Sequence, residues 1–129
     1  MRYKKRGQSA IEFMVIFAAI LLFFVSFFAI IQMNVEKKNF EKEKILVQNI
    51  ALDVQDEINI AAKSSEGYSR EFKIPENIFG KNYEINLSGN FVYVSLNNIG
   101  VSYKISKING SVKKGSNLIT KQNGTVYLN

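Results

Sequence analysis

The sequence predicts an α+β protein: a long N-terminal helix packed against a small antiparallel β domain. Three observations point to it. Residues 13–31 are almost wholly apolar. No Gly lies between Gly7 and Gly67 and the only Pro is Pro75, so nothing breaks a helix across that span. Past Gly67 the composition shifts to Tyr, Val, Ile, Ser, Asn and Gly, with alternating apolar residues and Asn-Gly dipeptides.

The chain begins with a basic leader, residues 1–7. Arg2, Lys4, Lys5 and Arg6 are four of its 17 basic residues, so past Gly7 13 bases face 11 acids. Most of the net charge of +6 therefore belongs to the leader. No Lys/Arg stripe suited to tracking phosphates follows, and no nucleic-acid partner is expected. Four cations flanking an apolar run instead favour a cytoplasmic N-terminus.

Residues 13–31 hold six Phe, four Ile, two Leu, two Val, three Ala and Met14, with Ser26 the one polar member. As a helix the run measures roughly 28 Å, close to the hydrocarbon thickness of a bilayer. It is apolar on every side and must be surrounded by lipid or by other helices. A secretory cut would need small residues behind the run, and Gln32-Met33-Asn34-Val35-Glu36 fits that pattern poorly.

Arg6-Gly7-Gln8-Ser9-Ala10-Ile11-Glu12-Phe13, followed by this run, resembles the class III signal peptide of archaeal type IV pilin-like proteins. Gly7, Gln8, Glu12 and Phe13 match the family pattern; Ala10 stands where Ser is usual. The resemblance implies a leader, 1–7, cut by a prepilin peptidase between Gly7 and Gln8, with Lys5, Arg6, Glu12 and Phe13 in its recognition. It also implies a filament-core helix over 8–33 and a pairing of Glu12 with the α-amino group of Gln8 on a neighbouring subunit. From the residues alone, Glu12 is equally an interfacial carboxylate favoured by the helix dipole.

From Glu36 to Lys44 charges alternate in sign. Beyond them Val47, Ile50, Val54, Ile58 and Ala61 recur at spacings of three and four, marking residues 34–63 as an amphipathic continuation that receives a domain on one face. Asp53 and Glu57, one turn apart, read as a solvated face rather than a catalytic dyad. The helix is expected from about residue 9 to 63, with Gly67 as its left-handed terminator.

In residues 64–129, alternation marks strands at 83–87, 91–96, 101–105 and 126–128, and about five or six antiparallel strands in all. Ser88-Gly89-Asn90, Asn109-Gly110 and Asn123-Gly124 read as turns, the last two as hairpins. Such a module is too small to build a core alone, so its inner face is expected on the Val47–Ala61 stripe.

Candidate chemistry is sparse. With no Cys and no His, Cys/His zinc sites, thiol nucleophiles and a histidine base are excluded. No enzyme, cofactor or metal is expected. Gly110 to Ser116 has the Gly-x4-Gly spacing of a phosphate-binding loop but lacks the Lys and the following helix, so it reads as a turn. Asn86, Asn109 and Asn123 open three Asn-x-Ser/Thr sequons in the half expected outside the cell.

The resemblance thus implies a pilin: membrane-bound as precursor, a cell-surface filament subunit when mature, serving adhesion. Its partners would be the prepilin peptidase, the membrane, a pilus assembly platform and other copies of itself or related pilins. The alternatives are a single-pass anchored binding protein outside the membrane and a minor pilin or pseudopilin.

Overall fold

The computed structural model describes residues 3–129, with side chains from Gly7 onward. The element order is α1 (Tyr3–Lys63), β1 (Ser69–Ile74), β2 (Glu84–Ser88), β3 (Phe91–Leu96), β4 (Ile99–Lys104), β5 (Ile108–Gly110), β6 (Gly115–Gln122) and β7 (Thr125–Leu128). The protein is α+β, a long N-terminal helix whose later turns pack on a small, mostly antiparallel β region. Two units divide the chain, Met1–Phe40 and Glu41–Asn129.

Within the second unit α1 presents the expected stripe. Val47, Ile50, Val54, Ile58 and Ala61 are buried, joined by Ala51. Each fully buried aliphatic side chain of Val or Ile size is worth roughly 1.5–3 kcal/mol, so this stripe is the main attachment of the sheets to the helix. Against it lie Phe72 and Ile74 from β1, Val92, Val94 and Leu96 from β3, Ile119 from β6, and Val126 and Leu128 from β7, in one core.

The strands form two sheets, β1-β6-β7-β5 and β2-β3-β4. There are seven strands rather than five or six, and one pair, β5 with β7, is parallel. The reversals into β6 and back into β7 turn the chain twice, so β7 runs the way β5 does. β6 was hidden in the sequence because its inward positions are Asn117 and Ile119 while apolar Leu118 faces out. The 101–105 strand begins two residues earlier, after a turn in which Asn97 is left-handed at φ 51°.

Asn123 (φ 50°) and Gly124 (φ 74°) form the expected two-residue turn between β6 and β7. Positive φ at both central residues is the geometry that Asn-Gly favours. Asn109-Gly110 is not a hairpin: both residues lie in β5. There Gly110 (φ 116°) is needed because a Cβ would stand 2.0 Å from the carbonyl oxygen of Leu128.

The helix starts at Tyr3, earlier than residue 9, and ends as expected at Lys63. Gly67 is left-handed (φ 83°), but it lies beyond the terminus and its N–H donates to the Lys121 carbonyl. The helix end is closed instead by Ser64, whose N–H and hydroxyl both donate to the Ile60 carbonyl at 2.9 and 2.7 Å.

Candidate membrane-spanning and assembly segment

By length and composition α1 is a helix able to cross a membrane. Throughout residues 13–31 the side chains are exposed, Phe13 at 68% and Leu22 at 70%. Exposed apolar surface on this scale marks a site of contact with lipid or with protein. The Phe rings pair along the helix itself. Phe13 stacks on Phe17 with centroids 6.2 Å apart and Phe23 on Phe27 at 6.4 Å, the neighbour spacing of i and i+4. Ser26 donates its hydroxyl to the Leu22 carbonyl at 2.8 Å. That bond satisfies the run's one polar side chain within its own helix, so the rod needs no water and no polar partner at that depth.

Gly7, Gln8, Glu12 and Phe13 are all exposed. Gln8 and Glu12 stand four residues apart, on one helix face. Among the described residues the Glu12 carboxylate makes no ion pair. The Gly7–Gln8 bond lies inside α1, not in the extended form a protease takes, so a cut there requires the first turns to unwind. The side chains of Lys5 and Arg6 lie outside the described residues.

Further along α1, Ile45, Leu52 and Ile60 remain 54%, 37% and 44% exposed. At spacings of seven and eight they form a second apolar line, on the face turned from the core. It was missed in the sequence because the denser Val47–Ala61 stripe dominates the periodicity.

Glu57 corrects the solvated-face reading. Its side chain is only 16% exposed and faces Arg70 of β1, Oε1 to Nη2 at 3.4 Å. Asp53 is exposed as expected. Among the described residues no three acidic side chains converge to hold a metal ion.

The Gly110–Ser116 segment runs from the last residue of β5 through a connection at 111–114 into the first two residues of β6, so it is a link between strands, as read. Its backbone is already occupied by Asn117, a buried side chain that the sequence reading overlooked. Asn117 accepts from the Lys113 N–H at 2.8 Å and donates to the Lys113 and Gly115 carbonyls at 2.7 and 3.1 Å. Asn129 donates to Asn117 Oδ1 at 2.8 Å and to the Ser111 carbonyl at 2.7 Å. A buried amide so fully engaged fixes the loop's shape.

The three sequon asparagines fall in three settings: Asn86 in β2, Asn109 in β5 and Asn123 at the β6–β7 turn. All are exposed. Tyr83, at the foot of β2, is buried; its hydroxyl donates to the Pro75 carbonyl and its ring carries Lys114 Nζ 4.8 Å from the centroid. Burial pushes its phenol above the ordinary value.

Searches of protein-family models, of curated proteins and of solved structures return no match to this chain.

Proposed function

We propose that this chain is a structural subunit of a type IV pilus-like surface filament. In this reading it is inserted as a membrane precursor, cut between Gly7 and Gln8 by a prepilin peptidase, and drawn by an assembly platform into a bundle of α1 helices. The observation that carries the reading is the exposed apolar rod of residues 13–31, continuous in one helix with the stripe that holds the β region. The work is mechanical, not catalytic, and serves attachment of the cell to a surface.

Cutting removes the cationic leader and leaves the rod attached, free to exchange lipid for sister rods. Glu12 then meets the new α-amino group of Gln8 on a neighbour. A carboxylate among apolar rods costs about 3 kcal/mol on insertion scales, and that pairing offsets the cost and sets axial register. The line Ile45–Leu52–Ile60 extends the contact past the rod.

A second reading is favoured by the helical Gly7–Gln8 bond: a single-pass anchor whose β region binds a partner outside the membrane. N-terminal sequencing of sheared surface material, alongside negative-stain microscopy, decides between them. Chains beginning at Gln8 within filaments are expected. Chains that keep Met1 and stay in the membrane would establish the anchor. Low abundance in filaments built of another protein would assign this chain as a minor pilin.

A further inference from the structure

The second unit exposes four aromatic side chains, Phe79, Phe91, Tyr93 and Tyr127. Two of them, Tyr93 and Tyr127, stand opposite a sequon asparagine, and Phe91 stands opposite a sequon serine. Asn86 of edge strand β2 is directly opposite Tyr93 of β3, and Ser88 of the same sequon is opposite Phe91. Residues facing each other across an antiparallel pair share a face, with Cβ atoms about 5 Å apart. Phe91 and Tyr93 extend that face as a pair, with ring centroids 6.2 Å apart.

The arrangement recurs on the other sheet by a different route. Asn109 of edge strand β5 is in register with Tyr127 of β7, in the parallel pair. Val126 and Leu128, the chain neighbours of Tyr127, are buried, which turns Tyr127 outward, and Asn109, its register partner, is exposed on that face. Tyr93 and Tyr127 are 45% and 42% exposed. Neither Asn86 nor Asn109 spends its carboxamide on a hydrogen bond within the described residues, whereas Asn59, Asn77, Asn82, Asn117 and Asn129 all do.

We propose that Asn86 and Asn109 carry N-linked oligosaccharides whose first pyranose rings lie on Tyr93, with Phe91, and on Tyr127. The donor is a polyprenyl-phosphate-linked oligosaccharide, used by a membrane transferase. The carboxamide nitrogen attacks C1 of the first sugar as it gives up a proton to the transferase. The N–C1 bond forms, the C1–O bond to the lipid phosphate breaks, and the phosphate leaves with the electron pair. The apolar C–H face of the sugar covers a ring that otherwise stands in water, and its hydroxyls stay in solvent. An aromatic ring with one flank wet suits that division.

The inference rests on the proposed function only in placing residues 64–129 outside the cell. Its test begins with peptide mass mapping of the protein from its own cells. Sugar is expected on Asn86 and on Asn109, and a bare asparagine overturns its half of the proposal. The second measurement is tyrosine nitration by tetranitromethane, read peptide by peptide. Asn86→Gln is expected to raise nitration of Tyr93 several-fold and leave Tyr127 unchanged; Asn109→Gln is expected to do the reverse. Unchanged nitration in both variants would overturn the cover over the rings. The same digest reports the N-terminus. Sugars on a chain beginning at Met1 uphold this inference against the filament reading, and a bare chain beginning at Gln8 does the opposite.

Discussion

Lys121 of β6 closes the end of α1: its ammonium donates to the Ala62 carbonyl at 2.8 Å and to the Ser64 carbonyl at 2.7 Å. The last carbonyls of a helix lack intrahelical partners and carry its negative dipole end, so a cation there is doubly favoured. The same residue's backbone bonds Gly67 and Tyr68, which ties the strand to the chain leaving the helix. Lys121→Met keeps the methylenes and removes the charge. Because the site is only partly buried, the expected loss is about 1–2 kcal/mol. Urea unfolding of the detergent-solubilised chain, followed by the β signal, measures it.

Gly110 and Gly100 make a matched pair. A Cβ on Gly110 would meet the Leu128 carbonyl oxygen at 2.0 Å at a backbone φ of 116°, whereas at Gly100 nothing lies within 4 Å. Gly110→Ala must therefore push β5 off β7 and is expected to cost at least about 2 kcal/mol. Gly100→Ala reduces the freedom of the unfolded chain and is expected to be neutral or to stabilise by up to about 1 kcal/mol. Thermal unfolding of the two variants side by side checks both signs.

These two strands also show where sequence reasoning reached and where it stopped. Asn123-Gly124 and Asn109-Gly110 carry the same local chemistry, yet only the first is a turn. The second is claimed by a backbone that arrives from Leu128, 18 residues further on, which no local signal reports. The helix stripe was legible because five residues recur at the helical spacings of three and four. β6 was not, since Asn117 occupies an inward position and its hydrogen bonds, invisible in the sequence, make that burial tolerable. Of the candidate site, the apolar rod could be read from composition. The Gly7-Gln8 and Glu12 roles stand on resemblance, and the pairing of Asn86 with Tyr93 needed the strand register.

Tyr83 gives the fold an alkaline limb. Burial raises its phenol above the ordinary value near 10. Folded and unfolded chains therefore both hold the proton below about pH 10, and the contribution is complete there. As pH climbs through the raised folded value the unfolded chain ionises first and the contribution is lost. Tyr83→Phe gives up the hydrogen bond to Pro75, so at neutral pH it is expected to be less stable by about 1 kcal/mol. Above pH 10 the gap to the parent is expected to narrow. Unfolding midpoints from pH 7 to 11 for both proteins show whether it does.

Glu12 separates processing from assembly. It is exposed on α1, four residues from Gln8, and makes no ion pair among the described residues. If it only decorates the membrane interface, Glu12→Ala removes a carboxylate already wetted by headgroups and changes little. If it pairs with a neighbour's α-amino group, the same substitution strands that amine among apolar rods, at a cost of about 3 kcal/mol for each unpaired charge. At 1.4 kcal/mol per tenfold, one such charge weakens each added contact by roughly a hundredfold. Glu12→Ala is therefore expected to leave the chain beginning at Gln8 in the membrane fraction and to remove it from sheared filaments. Glu12→Asp, which shortens the reach and keeps the charge, is expected to fall between the two. Immunoblots of membrane and sheared fractions read both variants, and parental filament yield from Glu12→Ala would withdraw the carboxylate from assembly.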